Sequence, residues 1–365
     1  MKRKIIISGG GTGGHIYPAI AIANELKDLL EDVDILFIGA KGRMEMKRVP
    51  QAGFLIEGLD IYGLQRKLSI KNIIQNLKLP FRLYRSTRQA KKIIKNFNPD
   101  VVVGVGGYSS APTLKVATSM KIPTLIQEQN SYPGITNKLL SKKVDVICTA
   151  YDNLEKYFPA NKIVKTGNPV RKDILMPVNQ REAYNYFGLD PHKRTVAVIG
   201  GSLGSKTIND SVLEFLNELH KKDIQLIWQI GEHYNIQPYS MDGIKIIKFV
   251  DRMDYLYSVA DIVISRAGAL AISKLCVVAK PCILIPSPNV AEDHQTKNAK
   301  TLSDADAAIL IEDNKAKNEL KNELFKIIYD YARCMDMKKN LKKLAQPNAT
   351  NHIAKEIIKL IENKK

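Results

Sequence analysis

The chain has 365 residues, more than one hydrophobic core usually serves, so its length predicts two domains. Its composition, with 45% apolar and 25% charged residues, is that of a folded protein. The apolar run near the N-terminus is too short for a signal-peptide core, and no later apolar run approaches the length needed to span a bilayer. The formal net charge of +18 favours a negatively charged partner, which on charge alone could be nucleic acid, an anionic membrane or a phosphorylated substrate.

Short apolar runs alternate with longer helical patterns along the chain, which predicts parallel sheets covered by helices. Strands are expected in the first half at residues 4–8, 34–38, 101–105, 123–127 and 144–148, and in the second half at 195–199, 225–230, 244–248, 262–264 and 282–285. The predicted fold class is α/β, with two Rossmann-like, doubly wound parallel sheets. The expected domains are 1–166 and 167–346, separated where Gly and Pro interrupt the pattern, and residues 347–365 form a terminal amphipathic helix.

A glycine-rich loop follows the first strand of each half. The first strand enters Gly9–Gly14 and His15, with a helical pattern beginning at Pro18, and residues 195–199 enter Gly200–Ser205 before a second helical pattern. Such loops let backbone N–H groups approach an anion, with the positive end of the helix dipole behind them. Two of them predict two phosphate-bearing ligands, or one ligand held between two domains.

Both loops resemble nucleotide motifs without matching them fully. The glycines of Gly9–Gly14 have the G-x-G-x-x-G spacing, a weak signal for a nicotinamide cofactor. The carboxylate that would hold the adenosine ribose is missing after the second strand, where Lys41 and Arg43 could instead suit a 2′-phosphate. The run Gly200–Thr207 misses the P-loop pattern because Ser205 stands where a glycine belongs. A nicotinamide-dependent oxidoreductase therefore remains an alternative.

The segment between Asp60 and Asp100 has no acidic residue, and its basic residues are interleaved with large apolar ones. This composition predicts docking on an anionic membrane surface. The residues expected to make that contact are Lys71, Ile74, Leu77, Lys78, Phe81, Arg82 and Arg85. An ordinary amphipathic helix with its apolar face in the core explains the same pattern, and Pro80 is expected to interrupt it. Nucleic acid is not expected, because the apolar residues are mostly aliphatic and not the aromatics that stack on bases.

Polar side chains near the carboxyl ends of the first-half strands are expected at one rim of the sheet, where ligands of doubly wound folds gather. They are His15, Tyr108, Glu128, Asn130 and Asn137. His15 could contact a phosphate, remove a proton from a hydroxyl, or be structural. Glu128 could be a base or an acceptor that braces its loop.

No metal site and no cofactor is expected. Asp32 and Asp34 enter a strand at the wrong end of the sheet, and Asp304 and Asp306 lie in a helix-terminal stretch. The four cysteines are scattered, as in a protein whose thiols stay reduced in a cytoplasm, and no His, Cys and carboxylate cluster has ligand spacing.

Separated motifs run in order along nearly the whole chain. They are Gly9–His15 with Pro18 and Ala19, Gly106–Tyr108, Glu128–Asn130, Gly167–Arg171, Gly200–Ser202, Ser265–Ala269 and Gln295–Ala299. In order and spacing they resemble the family of bacterial glycosyltransferases that add N-acetylglucosamine to undecaprenyl-diphosphate-linked muramyl-pentapeptide in peptidoglycan synthesis.

The resemblance implies the GT-B architecture, with an N-terminal acceptor domain, a C-terminal UDP-sugar domain and a last helix that crosses back to the first. It implies inverting transfer from UDP-GlcNAc to the 4-hydroxyl of the lipid-linked MurNAc-pentapeptide, on the cytoplasmic face of the membrane, by a peripheral protein. For the general base we favour His15, with Glu128 as the rival.

The resemblance also assigns residues to the substrates. Thr12, Gly13, Gly14 and Asn130 match positions that border the donor sugar and the acceptor diphosphate, and Arg171 and Ser202 match donor-phosphate contacts. Val250 matches a residue whose backbone reads the uracil, and Gln295 matches a contact to the donor sugar. The helix start that holds the nucleotide phosphate and ribose is matched by Ala269, Leu270, Ala271, Ile272, Ser273 and Lys274.

Lys274 departs from the family, whose members carry Glu there to accept hydrogen bonds from the ribose hydroxyls. An ammonium has no acceptor lone pair, so that contact cannot form in the same way. Ala271 likewise replaces a common hydroxyl residue. These departures keep open a membrane-associated, nucleotide-binding protein with impaired catalysis.

Overall fold

A computed structural model describes residues 2–63, 79–201, 203–236, 241–290 and 293–363. The chain divides into two compact units. Unit 1 comprises Met1–Arg171 and Asn348–Lys365, and unit 2 comprises Lys172–Pro347. Each unit contains one parallel sheet with helices on its faces, as the alternating pattern predicts.

The sheet of unit 1 has seven strands in the order β3-β2-β1-β4-β5-β6-β7. The strands are β1 (Arg3–Ser8), β2 (Val33–Ala40), β3 (Leu55–Leu59), β4 (Val101–Gly104), β5 (Thr124–Glu128), β6 (Val146–Thr149) and β7 (Ile163–Lys165). The helices are α1 (Gly13–Leu29), α2 (Glu45–Gln51), α3 (Leu79–Phe97), α4 (Ser110–Ser119) and α5 (Ile135–Leu140). The central strands are apolar along their length because helices cover both faces of the sheet, and alternate residues such as Ile5 and Ile6 enter two separate core clusters.

The sheet of unit 2 has six strands in the order β10-β9-β8-β11-β12-β13. The strands are β8 (Thr195–Ile199), β9 (Gln225–Gln229), β10 (Ile244–Ile247), β11 (Ile262–Ser265), β12 (Cys282–Leu284) and β13 (Ile309–Leu310). The helices are α6 (Lys172–Leu175), α7 (Gln180–Phe187), α8 (Lys206–Lys221), α9 (Met253–Val259), α10 (Ala269–Val278), α11 (His294–Ser303), α12 (Ala316–Ile327) and α13 (Tyr331–Leu344). Its core contains Trp228, the only tryptophan of the chain.

The last helix, α14 (Ala349–Glu362), belongs to unit 1. Its apolar residues recur at helical spacing, and Ile353, Ile357 and Ile361 are buried in the same core cluster as the inner faces of β1 and α1. Thr350 donates a hydrogen bond to the carbonyl of Val170 over 3.0 Å, and so ties the start of α14 to the end of the N-terminal part of unit 1.

The strand order places a topological switch point in each unit. In unit 1 the chain leaves β1 toward β2 and later returns to the other side of β1 as β4, and in unit 2 the strands β8 and β11 have the same relation. Ligands of doubly wound sheets bind at the carboxyl ends of the strands at this point. The two glycine loops follow β1 and β8, so both lie at a switch point.

Several sequence expectations about elements were wrong. Strands β3, β7 and β13 were not predicted, because they are short edge strands with weak patterns. Helix α1 begins at Gly13 and contains Pro18, so the helix starts before the proline and not at it. Pro80 is the second residue of α3, where a missing N–H removes no intrahelical bond, and the segment before Leu79, which the predicted interruption concerns, lies outside the described residues.

The four cysteines are free thiols, and burial raises the pKa of Cys148, Cys276 and Cys282. Across the described ranges, no helix has the length and apolarity needed to cross a membrane.

Candidate functional site

The first glycine loop, which we define as Gly9–Gly14, connects β1 to α1. Thr12 is the N-cap of α1, and the first bonds of the helix run from His15 and Ile16 to the Thr12 carbonyl over 3.1 and 3.2 Å. The N–H groups of Gly13 and Gly14 precede these bonds at the positive end of the helix dipole. This end of α1 is therefore suited to a negatively charged group.

The imidazole ring of His15 contacts this loop through Nδ1. Its Nδ1 lies 3.1 Å from the Gly10 carbonyl oxygen and 3.4 Å from Thr12 Oγ1. A carbonyl oxygen can only accept, so the hydrogen bond to Gly10 requires the proton on Nδ1. In the neutral ring Nε2 then carries the lone pair. A Cβ at Gly106 would lie 2.9 Å from Nε2, so glycine at that position keeps a side chain off this edge of the ring.

One feature of the first loop was not expected. The N–H of Gly11 donates to Glu45 Oε2 over 3.0 Å, and Glu45 Oε1 accepts from the N–H of Ala40 over 3.0 Å. Part of the predicted phosphate cradle is therefore occupied by an internal carboxylate. Sequence reasoning missed Glu45 because it lies on α2, a short helix without a clear pattern.

Tyr108 lies beside the same loop, since its ring edge would lie 3.2 Å from a Cβ at Gly11. Burial raises the pKa of the Tyr108 phenol, so it is a neutral hydroxyl near neutral pH. The structure therefore brings Tyr108 and His15 to one rim, as expected.

Glu128 forms a second polar cluster at the end of β5. Its Oε1 accepts from the N–H and the side-chain amide of Asn130, over 3.0 and 3.2 Å. Its Oε2 accepts from the N–H of Gly134 over 3.1 Å and from the amide of Asn137 over 2.8 Å. Glu128 is 1% exposed, so this carboxylate braces the loop after β5, which is one of the two roles considered for it.

Buried amides hold the loop after β5 against its neighbours. Gln127 donates to Asn168 Oδ1 over 3.1 Å, and Asn168 donates to the Gln129 carbonyl over 2.9 Å. Gln129 also donates to the Val105 carbonyl over 2.8 Å. The Gly167–Arg171 motif is thus fixed beside the Glu128 cluster, with Arg171 as the last residue of this part of unit 1.

The second glycine loop, Gly200–Gly204, connects β8 to α8 in unit 2. Ser205 is the N-cap of α8 and accepts the Ile208 N–H over 3.3 Å, and Lys206 pairs with Asp210 one turn later. Ser205 therefore caps α8, and Lys206 forms an ion pair within the same helix. In a P-loop the corresponding residues are a glycine and a lysine that contacts phosphate.

A cavity of about 450 Å³ opens beside the second loop, at the carboxyl ends of β8 and β11. It is lined by Ile199, Gly200, Gly201, Gly204, Ser205, Lys206, Thr207, Ser265, Arg266, Gly268, Ala271, Ser287, Asn289, Gln295 and Asp313. Backbone N–H groups of the loop and the N-terminal end of α10 meet here, so the cavity suits an anionic ligand.

A half-buried ion pair forms one wall of this cavity. Arg266 donates to Asp313 over 2.5 Å and to the carbonyls of Ile285 and Pro286, each over 3.0 Å. The other oxygen of Asp313 accepts from the Thr207 hydroxyl over 3.0 Å. Asp313 was missed in the sequence because it follows β13, a strand of two residues.

The expected donor-side residues are only partly gathered at the cavity. Ala271 and Gln295 line it, while Lys274 and Val250 lie outside the lining formed by the described residues. Val250 donates its N–H to Gln229 Oε1 over 3.0 Å. Ala269 and Ile272 are buried in α10, Leu270, Ser273 and Lys274 are half-buried, and Ser202 lies outside the described residues.

Helix α3 has a buried apolar face and also an exposed face with aromatic and basic side chains. Ala90 and Ile94 are fully buried, whereas Phe81 is 70% and Tyr84 67% exposed beside exposed Arg85. The guanidinium of Arg82 lies 4.5 Å from the ring centroid of Tyr62. Lys71, Ile74, Leu77 and Lys78 lie outside the described residues.

Within the same described part of the chain, no three His, Cys, Asp or Glu side chains are grouped so that they could hold a metal ion.

Comparison with known proteins gives consistent matches over both units. Residues 5–149 match the glycosyltransferase family 28 N-terminal domain, and residues 195–357 match the glycosyltransferase family 28 C-terminal domain. The UDP-N-acetylglucosamine--N-acetylmuramyl-(pentapeptide) pyrophosphoryl-undecaprenol N-acetylglucosamine transferase of Flavobacterium psychrophilum is 52% identical, and the match covers 99% of each chain. The protein of the same name from Parabacteroides distasonis is 50% identical over 100% of each chain. The crystal structure of Acinetobacter baumannii MurG is similar with a TM-score of 0.75 and 29% identity, covering 98% of this chain and 99% of that one.

Proposed function

The chain belongs to glycosyltransferase family 28, and we propose that it transfers N-acetylglucosamine from UDP-GlcNAc to the 4-hydroxyl of undecaprenyl-diphosphate-linked MurNAc-pentapeptide, with inversion. The observation that carries this proposal is full-length similarity to transferases named for this reaction. Neither a nicotinamide-dependent oxidoreductase nor a nucleotide-binding protein with impaired catalysis is supported by these names. The product is the lipid-linked disaccharide of peptidoglycan synthesis.

The donor binds in unit 2, in the cavity beside the second glycine loop. UDP leaves with additional negative charge, and fixed N–H donors aimed at that charge lower the barrier. The loop Gly200–Gly204 and the N-terminal end of α10 at Gly268 supply such donors, and Gln295 contacts the sugar. Arg171 and Ser202 are assigned to the donor phosphates on the family resemblance alone.

The acceptor binds in unit 1, at the start of α1. The first-turn N–H groups of Gly13 and Gly14 suit its diphosphate, with Thr12, Tyr108 and Asn130 beside it. His15 is the general base, because its bond to the Gly10 carbonyl puts the proton of the neutral ring on Nδ1 and the lone pair, which can take the proton of the attacking hydroxyl, on Nε2. Glu128 is the weaker candidate, since each of its oxygens already accepts two hydrogen bonds.

The test is transfer of labelled N-acetylglucosamine from its UDP ester to a lipid-linked acceptor analogue. We expect the wild type to form the disaccharide, and His15→Ala to lower the rate by about 10² to 10⁴. UDP binding, measured by calorimetry, should be unchanged in this variant because His15 lies in unit 1. Absence of transfer by the wild type would refute the function, and full activity of His15→Ala would refute the assigned base.

The protein works as a peripheral protein on the cytoplasmic face of the membrane, where its lipid-linked acceptor resides. The exposed rings of Phe81 and Tyr84 beside Arg85 support this proposal, because aromatic and cationic side chains together suit an anionic headgroup layer. Nucleic acid is not proposed as a partner.

Membrane docking is tested by sedimentation with vesicles of anionic lipid. The double substitution Phe81→Ser and Tyr84→Ser should release the protein from the vesicles. The matched control is Tyr329→Ser with Tyr331→Ser, since both of these rings are also exposed but lie in unit 2. Equal binding by the two double variants would contradict docking through α3.

A further inference from the structure

The carboxylate of Glu45 is buried and lies against the backbone of the first glycine loop. Glu45 is fully buried, and its side chain lies against Gly10 and Gly39. A Cβ at Gly39 would lie 2.6 Å from Glu45 Cγ, and a Cβ at Gly10 would collide with the carboxylate. Two glycines therefore make room for this one side chain.

The hydrogen bonds of Glu45 lead directly to His15. The Gly11 N–H donates to Glu45, and the Gly10 carbonyl lies within hydrogen-bonding distance of His15 Nδ1. The Gly10 carbonyl and the Gly11 N–H are the two ends of one peptide group. A single peptide thus joins a buried carboxylate to the imidazole.

Hydrogen bonds in series polarise one another. A peptide whose N–H donates to a carboxylate carries more negative charge on its carbonyl oxygen, so that oxygen is a stronger acceptor for Nδ1–H. In Ser-His-Asp enzymes a carboxylate bonded directly to the imidazole selects the tautomer and stabilises the imidazolium. Here the peptide stands between the two groups.

We propose that Glu45 is a positioning residue that acts on His15 through the Gly10–Gly11 peptide, and holds the neutral ring as the Nδ1–H tautomer with its lone pair on Nε2. The proposal rests on the proposed role of His15 as the base. Besides Glu45, Tyr108 lies beside this loop with a neutral phenol, and Arg43 and Tyr62 both interact with that phenol.

The first test needs no substrate and no variant of Glu45. Protein labelled with ¹⁵N in its histidines is examined by NMR at a pH where the rings are neutral, and the His15 signals are identified by their loss in His15→Asn. We expect the proton on Nδ1. A neutral His15 with its proton on Nε2 would overturn the proposal.

The second test is Glu45→Gln, compared with Glu25→Gln. An amide can accept only on its oxygen, so it cannot serve both the Ala40 and Gly11 N–H groups, and its own NH₂ would face one of them. We expect His15 to lose its tautomer preference and kcat to fall about tenfold, with KM for UDP-GlcNAc unchanged. Glu25 is the matched control, because it is also buried in unit 1 and accepts a hydrogen bond from Asn351 over 2.8 Å.

A folded Glu45→Gln with the wild-type tautomer and wild-type kcat would overturn the proposal. So would the same tautomer change in Glu25→Gln. If Glu45→Gln does not fold, the ¹⁵N-histidine NMR spectrum of the wild type remains the test, and a His15 proton on Nε2 would overturn the proposal. Failure of the base assignment has a different signature, because His15→Ala would then retain transfer whatever the tautomer in the wild type.

Discussion

Two buried carboxylates of unit 1, Glu45 and Glu128, illustrate how partners decide the role of a residue. Each accepts backbone N–H groups, which makes it a weaker candidate for taking a proton from a substrate. Glu128 stabilises its own loop, whereas Glu45 is linked to the imidazole of His15 by a shared peptide. Residue type and position after a strand do not distinguish these roles.

Substitution of Glu128 should affect stability more than chemistry. In Glu128→Gln one or two donors among Asn130, Gly134 and Asn137 lose their acceptor, so we expect the free energy of unfolding to fall by about 2 kcal/mol. Urea unfolding followed by far-UV circular dichroism measures this. Unchanged stability together with a hundredfold slower transfer would instead identify Glu128 as the base.

Lys274 is the position where we expect a gain of binding. A carboxylate there can accept from ribose hydroxyls, and hydrogen bonds to charged groups are the stronger ones, so Lys274→Glu should tighten UDP binding about tenfold. Calorimetry with UDP gives the affinity, and Lys274→Met, which removes the charge without adding an oxygen acceptor, is the control. Equal UDP affinities in wild type and Lys274→Glu would refute this expectation.

At the scale of elements, α14 completes the core of unit 1 although it is separated from the rest of that unit by all of unit 2. Ile353 and Ile357 on α14 share a core cluster with Ile5 and Leu26. The stability of the N-terminal sheet therefore depends on the end of the chain.

Shortening one side chain of α14 tests this dependence. Ile357 is fully buried, so Ile357→Ala should destabilise unit 1 by roughly 3 kcal/mol. The fluorescence of Trp228 reports on unit 2 only, and circular dichroism reports on both units. We expect the fluorescence transition to stay in place while part of the dichroism signal is lost at lower urea. A displaced fluorescence transition alone would contradict the assignment of α14 to unit 1.

At the scale of the whole molecule, two sheets that share the order of six strands have separate cores and separate loops. In the proposed function, one unit binds the lipid-linked acceptor and the other binds the activated nucleotide. The net charge of +18 suits both, since each proposed substrate and the membrane surface are anionic.

Ligand-induced stabilisation can assign the nucleotide to a unit. At about 100 times its Kd, UDP should stabilise the unit that binds it by roughly 2.7 kcal/mol. We expect the Trp228 fluorescence transition to move to higher urea, because Trp228 is buried in unit 2 beside Asn209. Inorganic phosphate at the same concentration is the control. If UDP instead stabilised only unit 1, as seen by circular dichroism, the assignment of the donor site to unit 2 would be contradicted.

The sequence by itself determined the α/β class, the central strands, the two glycine loops and the family, because strand runs, glycines and motif spacing are local features of the chain. It also placed His15 and Tyr108 at one rim, since both follow neighbouring parallel strands. Only the tertiary structure decided that Glu45 occupies the first loop and that Asp313 pairs with Arg266 beside the second. Such partners lie far apart along the chain, and they come within hydrogen-bonding distance only when the parallel strands pair and the helices and loops that follow these strands pack against each other.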